Sequence, residues 1–270
     1  PFVGGGSSFL NVKAKNYIVN DIDSSIISIH EMLKKYSHDK EKFFEKTFKI
    51  INHYGLSCSY NGHLVPEELK ALHKKTYYAK YNKDAYLQLR NDFNKDKTDT
   101  LKLYLLLIYG FNHMTRFNSK GDFNLPVGNV DFNSNVYNSL NYYFDYIKRI
   151  KIEYFNKDYK DFLRSLKLGN NDYVLLDPPY LISQSEYNKL WNEDNEKDLY
   201  NLLDELDKKG IRFGITNLVY HKEKKNDIFE KWAKKYNTYE ITSNYISFND
   251  NTIKAGSKEV FVTNYDKNGN

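Results

Sequence analysis

Asp177-Pro178-Pro179-Tyr180 puts an acid, two imino acids and a phenol into four consecutive residues. Pro178 holds Asp177 extended and Pro179 does the same to Pro178, so no helix can start there. Neither proline has an N–H. The stretch therefore offers acceptors: the Asp177 carboxylate and the carbonyls beside it. Tyr180 adds a flat aromatic face. An exocyclic amino group on a nucleobase has two hydrogens next to a π-face, and two fixed acceptors with a stacking ring would hold it rigidly. The structural alternative is a Pro-Pro turn after a strand, with a capping acid.

The elements around the tetrapeptide favour the chemical reading. Tyr173-Val174-Leu175-Leu176 leads into it, after the polar turn Gly169-Asn170-Asn171-Asp172. This apolar run is short and lacks helical periodicity, which predicts a buried strand of a parallel sheet. Ligands of open α/β sheets sit beyond the carboxyl ends of such strands, where Asp177 falls. At the start of the chain, Pro1-Phe2-Val3-Gly4-Gly5-Gly6-Ser7-Ser8 precedes the apolar segment Phe9–Val12. Glycines before a helix let the backbone approach a ligand closely; a flexible terminal loop is the alternative. Asn16–Asp21 predicts a strand ending in an acid. The helix expected over Ser24–Tyr36 carries Ile26, Ile27, Ile29 and Leu33 on its apolar face. Asp21 stands roughly 15–20 residues after the glycines, the spacing at which nucleotide sites place a carboxylate on ribose hydroxyls. An acid at a helix N-terminus is its bland role.

From about Phe43 to Phe93 the pattern is helical and amphipathic, interrupted by a loop-like Gly55–Gly62. Leu101–Tyr109 is nearly all apolar and predicts a buried helix. The character then changes. Gly110-Phe111-Asn112-His113-Met114-Thr115-Arg116-Phe117-Asn118-Ser119-Lys120-Gly121-Asp122-Phe123-Asn124-Leu125-Pro126-Val127-Gly128 mixes aromatics, amides and basic residues with turn formers. That mixture suits a hairpin touching nucleic acid, where arginine reads guanine edges, amides read bases or phosphates and aromatics stack or wedge. A polar surface hairpin with inward phenylalanines fits equally well. Beyond it, helices are expected over Asn138–Ile150, Asn195–Lys208 and Ile228–Tyr236. Strands are expected over Ile150–Phe155, Ile211–Asn217 and Glu259–Thr263, with Tyr187–Trp191 and Tyr239–Phe248 between elements. Strands alternating with helices imply a parallel sheet covered on both faces.

The 270 residues suffice for one large domain or two small ones. No apolar run has the length of a membrane span, and no secretory signal is visible. The single Cys58 excludes an internal disulfide and fits a reducing cytosol. Without a Cys cluster or a His pair at ligand spacing, no metal site is expected. The net charge of +5 permits a polyanionic partner. Because the chain starts with Pro1, inside a strand-to-helix turn, a further N-terminal segment is expected to precede it.

The glycine turn Pro1–Ser7, the segment Arg116–Gly128 and Asp177–Tyr180, in this order and spacing, resemble Dam-type DNA adenine-N6 methyltransferases of phage and bacteria. Ser185-Glu186-Tyr187-Asn188-Lys189-Leu190-Trp191 and Gly210–Asn217 add to the resemblance, which runs to about residue 265 with a poorly matching insertion near 57–84. The resemblance implies an α/β fold: a Rossmann-like methyltransferase sheet with helices on both faces. It also implies an inserted, mainly helical DNA-recognition domain with a β-hairpin. The catalytic domain would span 1–53 and 150–270, and the recognition domain 54–149. The cofactor would be S-adenosyl-L-methionine, with S-adenosylhomocysteine as product. Pro1, Phe2, Gly4 and Gly6 would lie under its methionine part, Asp21 with the neighbouring Ile22 at its ribose, and Asp158 and Tyr159 at its adenine. Asp177, Pro178, Pro179 and Tyr180 would form the catalytic loop, with Asp177 also at the cofactor. Arg116 would read guanine, Phe111 would insert into the duplex and Pro126 would lie against a base. Asn112, His113, Met114, Asn118 and Lys120 would complete the DNA surface. Val130 stands where GATC-specific phage members carry a basic residue. The implied partner is double-stranded DNA in the cytoplasm, beside a companion restriction endonuclease held in no stable complex. Two alternatives remain at this point: a methyltransferase acting on RNA adenine, and a DNA-binding methylase fold without activity.

Overall fold

The computed structural model of the chain describes residues 1–183, 191–241 and 256–266. Residues Ser185–Leu190, and 242 to Phe248, on which two of the expectations above fall, lie outside these. In chain order the elements are α1 (Ser7–Asn11), β1 (Asn16–Asn20), α2 (Ser24–Tyr36), α3 (Lys40–Tyr54), α4 (Glu67–His73), α5 (Tyr77–Lys95), α6 (Thr100–Tyr109), α7 (Ser134–Ile147), β2 (Lys151–Phe155), α8 (Tyr159–Ser165), β3 (Tyr173–Leu176), α9 (Glu193–Lys208), β4 (Arg212–His221), β5 (Lys224–Lys225), α10 (Asp227–Ala233), β6 (Asn237–Glu240) and β7 (Ser257–Thr263). Short 3-10 turns occupy Ser59–Asn61 and Phe111–His113. By packing, the chain divides into one unit of Pro1–Lys13, Val19–Ile22 and Lys157–Asn270, and a second of Ala14–Ile18 and Asp23–Asn156. In this packing division α2 and α3 lie in the second unit.

In the first unit a five-stranded sheet runs β3-β4-β7-β6, with β5 paired to β4. The α/β class expected from the sequence holds, and the sheet is mixed. β3 and β4 are parallel, while β7 lies antiparallel between β4 and β6. A parallel pair needs a crossover, and α9 supplies it between β3 and β4. The periodicity of a strand says nothing about its direction, so the antiparallel β7 was not visible in the pattern.

Local chemistry sets the crossover. Asn192 and Asn195 form a reciprocal capping box at the start of α9. Leu199, Leu202, Leu203 and Leu206 are its buried face. Gly210, at φ 71, ends it, with the Ile211 N–H bonded 3.0 Å to the Leu206 carbonyl, and the chain turns into β4. Glu196 is fully buried on α9. Its carboxylate accepts from the Tyr200 hydroxyl at 2.7 Å, from Asn217 of β4 at 3.2 Å and from Asn226, the N-cap of α10, at 3.1 Å. Each donor offsets part of the cost of burying that acid, so the cluster joins three elements.

Gly214, near the start of β4, has no room for a side chain. A Cβ there would lie 2.1 Å from the Tyr173 hydroxyl and 2.3 Å from the Phe261 ring. Gly214→Ala is expected to destabilise the protein by about 1–3 kcal/mol through overpacking, read as a lower urea midpoint. An unchanged midpoint would mean that both rings move aside without cost.

The second unit is mainly helical around an aromatic core that includes Phe43, Phe44, Tyr86, Phe93, Tyr109, Phe123, Phe132 and Phe144. Buried tyrosines here find acceptors: Tyr109 donates to the Ser57 carbonyl at 2.7 Å and Tyr86 to the Leu106 carbonyl at 3.1 Å. Its helices start on side-chain caps where the sequence provides them, Asp23 for α2, Asp39 for α3 and Asn133 for α7. β1 and β2 make a separate two-stranded sheet.

Candidate active site

The glycine turn is laid along the end of β1. The Val3 N–H bonds the Asn20 carbonyl at 2.9 Å, and the Gly6 N–H bonds back to Val3 at 2.8 Å. Gly4 takes φ 47, a conformation that a side chain disfavours, and a Cβ on Gly4 or Gly5 would meet nothing within 4 Å. The turn therefore borders open space. Its backbone is fixed by Asp21, whose Oδ2 accepts from the Gly4 N–H at 2.9 Å. Ile22, next to it, is 65 % exposed.

Asn20 carries no chemistry that the sequence singles out, yet it is fully buried. Its Nδ2 donates to the Pro1 carbonyl at 3.1 Å and to the Lys157 carbonyl at 2.9 Å, and its Oδ1 accepts from the Lys157 N–H at 2.9 Å. One amide thus ties the glycine turn to the backbone just before Asp158. The Asp158 carboxylate caps α8 by accepting from the Lys160 N–H at 2.9 Å. Tyr159 is buried and donates its hydroxyl to the Asn195 carbonyl at 2.9 Å. Burial raises its pKa well above the ordinary phenol range, and nearby Asp198 and Asp158 add to the shift. Phe2, Tyr159 and Trp191 form a ring trio, with centroids 5.5 Å apart for Phe2–Tyr159, 5.7 Å for Phe2–Trp191 and 5.4 Å for Tyr159–Trp191. The Trp191 indole nitrogen is buried and donates to no acceptor among the described residues.

Asp177 follows β3 directly. Its Oδ1 accepts from Thr216 Oγ1 of β4 at 2.7 Å and from the Tyr180 hydroxyl at 2.9 Å. Parallel pairing of Leu176 with Ile215 brings Thr216 to this position. Oδ2 has no protein partner among the described residues. The Tyr180 hydroxyl also lies 2.8 Å from Glu259 Oε1 of β7. Burial, with the Asp177 charge next, drives the Tyr180 pKa far above that of a free phenol, so its proton is held firmly. Pro178 is buried and Pro179 half-buried.

In the second unit, the 110–128 segment is a loose hairpin closed by antiparallel bridges Gly110–Val127 and Phe117–Phe123. Phe111 is 44 % exposed, and its N–H bonds the carbonyl of exposed Pro126 at 2.9 Å. Asn112 and His113 both take φ 54, left-handed geometry that costs a non-glycine residue energy and concentrates at functional loops. His113 Nδ1 lies 3.0 Å from the Leu107 carbonyl. Met114 packs against the aromatic core, so it is part of the hairpin's footing. Arg116 is clamped by Asn124, Nε donating to Oδ1 at 3.0 Å and Nη2 to the carbonyl at 2.6 Å. Asn118 Oδ1 accepts from the Lys120 and Asp122 N–H groups at 2.9 and 3.0 Å, shaping the tip, and Lys120 is exposed. Two residues of α5 hold the returning strand. Asn94 pairs with the Phe123 N–H and carbonyl at 2.8 and 3.0 Å, and Arg90 donates to the Leu125 carbonyl at 3.2 Å. Among the described residues, no group of three or more His, Cys, Asp or Glu could hold a metal ion.

A family model described as D12 class N6 adenine-specific DNA methyltransferase matches residues 1–246. The chain belongs to this family. It is 30% identical over 272 residues to the type II methyltransferase M.FokI of Planomicrobium okeanokoites, across 98% of this chain and 38% of that protein. It is 31% identical over 276 residues to the modification methylase StsI of Streptococcus sanguinis, again across 98% and 38%. The DNA adenine methylase of Escherichia coli (strain K12) is 30% identical over 131 residues, 47% of this chain and 37% of that protein. The chain thus spans well under half the length of the first two relatives.

Methyltransferases of the D12 class use S-adenosylmethionine, and the residues present fit such a group. The glycine turn leaves space over its backbone. The ring trio offers apolar faces for a purine, and the buried Trp191 N–H has no acceptor among the described residues. Thr216, Glu259, Asn20, Trp191, Arg90 and Asn94 are the residues that sequence reasoning missed. Of these, Trp191 and Thr216 lie in segments resembling the family and so carried some signal.

Proposed function

We propose that this chain performs the methyl transfer of an adenine-N6 DNA methyltransferase, acting on an adenine flipped out of double-stranded DNA. The observation that carries this reading is the Asp177 carboxylate. Thr216 and Tyr180 hold one of its oxygens, and the other has no protein partner among the described residues. N6 of adenine is unreachable inside a duplex, so the base must leave the stack. Asp177 Oδ2 and the Pro178 carbonyl then accept the two N6 hydrogens, and the Tyr180 ring lies against the base. The N6 lone pair is delocalised into the ring. Two acceptors out of the ring plane favour a pyramidal nitrogen with its lone pair directed outward. S-adenosylmethionine, when bound, supplies an electrophilic methyl on a sulfonium. That group would give its methyl to N6 while its sulfur kept the bonding pair, and the surplus N6 proton would leave to solvent. Positioning and the Asp177 charge, which opposes the positive charge developing on nitrogen, provide most of the acceleration.

In the same reading Pro1, Phe2, Gly4 and Gly6 lie under the methionine part of the cofactor, Asp21 and Ile22 at its ribose, and Asp158 and Tyr159 beside its adenine. Residues 54–149 serve as the target-recognition region. Phe111 and Pro126, joined by a backbone hydrogen bond and both exposed, meet the opened duplex, with the strained Asn112 and His113 aiming them. Asn118 and Lys120 meet phosphates. The Asn124 clamp leaves Arg116 Nη1 uncommitted among the described residues, and that nitrogen reads a guanine edge. Double-stranded DNA is the partner, and a companion endonuclease, held in no stable complex, is the biological setting.

The deciding experiment incubates the chain with a mixed DNA pool and labelled S-adenosylmethionine, then sequences the modified positions. N6-methyladenine in one sequence context supports the reading, and absence of label in DNA overturns it. In the same assay Arg116→Ala should relax discrimination at one base pair by about 1–3 kcal/mol. A uniform loss on all sequences would recast Arg116 as a phosphate contact.

A further inference from the structure

β7 brings a carboxylate to the catalytic loop that the chemistry above leaves unused. The ladder between β4 and β7 pairs Leu218 with Glu259 and then Tyr220 with Lys258, so Val219 has no opposite number. Such an irregularity beside an active site re-aims the neighbouring side chains. Glu259 is half-buried, and its Oε1 is 2.8 Å from the Tyr180 oxygen, which is itself 2.9 Å from Asp177 Oδ1. A phenol has one hydrogen and can donate it to one of these carboxylates at a time. Asp177 and Glu259 therefore compete for it, beside the Thr216 hydroxyl 2.7 Å from Asp177 Oδ1.

We propose that Glu259 is a positioning residue for methyl transfer, acting through the Tyr180 hydroxyl. It anchors the far end of the tyrosine ring to the sheet and draws the hydroxyl hydrogen away from Asp177. The consequence lies in the charge of Asp177. A carboxylate that spends fewer lone pairs inside the protein is a better acceptor for the N6 hydrogens and a better counter-charge for the methylated nitrogen. Without Glu259 the hydroxyl turns wholly to Asp177 and weakens it, and the ring loses its tether.

This proposal rests on reading Asp177–Tyr180 as the catalytic loop, and its test separates the two. Single-turnover methyl transfer is measured with labelled S-adenosylmethionine on unmethylated, in vitro amplified genomic fragments, for the parent chain and five variants. Asp177→Ala tests the loop itself. Glu259→Ala should slow transfer about tenfold, the worth of one strong hydrogen bond, with the dissociation constants for cofactor and DNA unchanged. Glu259→Gln keeps an acceptor for the phenol and should recover most of the rate. Tyr180→Phe removes the hydroxyl, and on that background Glu259→Ala should cause no further loss. If Glu259→Ala does not fold, Glu259→Asp, which withdraws the carboxylate by one methylene, takes its place in the same cycle. A Glu259→Ala rate equal to the parent's, or an equal loss with and without the Tyr180 hydroxyl, overturns the role of Glu259. Transfer by Asp177→Ala at the parent's rate, or none by the parent chain, overturns the reading of the loop instead.

Discussion

Asp177→Ala is expected to reduce methyl transfer by on the order of 10²–10³-fold while cofactor affinity stays unchanged. The size follows from what one side chain does at once. In the proposed complex it accepts an N6 hydrogen, faces the positive charge developing on nitrogen and is the shared acceptor of Thr216 and Tyr180. Removing it leaves the amine with a single acceptor and takes from the Tyr180 hydroxyl one of its two carboxylate partners. Asp177 is exposed at the end of a strand, so truncation opens no core cavity and the fold should persist. Quench-flow on labelled cofactor, with calorimetric titration of S-adenosylmethionine alongside, reads both quantities. Equal loss of transfer and of cofactor binding would make Asp177 a structural residue.

Asp21→Ala should act on the other quantity, weakening S-adenosylmethionine binding by roughly 10–100-fold, the range for lost hydrogen bonds to a charged group. Two effects combine. The proposed ribose contact disappears, and the Gly4 N–H loses the carboxylate that holds the glycine turn in its left-handed geometry. Asp21→Asn keeps an acceptor for Gly4 and should fall between. Calorimetry on the DNA-free protein decides it without reference to turnover. An unchanged dissociation constant would reduce Asp21 to a tie within the turn.

Much of the site was determined locally, and that part could be read from the chain alone. Two prolines hold Asp177 and Tyr180 in an extended corner whatever surrounds them. Gly4 and Gly6 have the positive φ that only glycine adopts cheaply. The apolar run before Asp177 is the strand β3, and α2 and α6 begin and end within a residue of their expected limits. These properties depend on neighbours a few positions away.

Tertiary structure alone decided the partners. Thr216 is 39 residues from Asp177, Glu259 is 79 from Tyr180, and Lys157 is 137 from Asn20. A strand's period of two says which face a residue takes, but not which strand lies beside it or in what register. The parallel pairing of β3 with β4 and the antiparallel insertion of β7 set those neighbours, and no hydrophobic pattern encodes either. The hairpin over 110–128 shows the same split. Its turn formers were visible, but the exposure of Phe111 and the grip by Arg90 and Asn94 on α5 needed the packing of the second unit. Sequence thus determined which groups could do the chemistry, and the sheet order determined how each is held, because holding is a contact between distant segments.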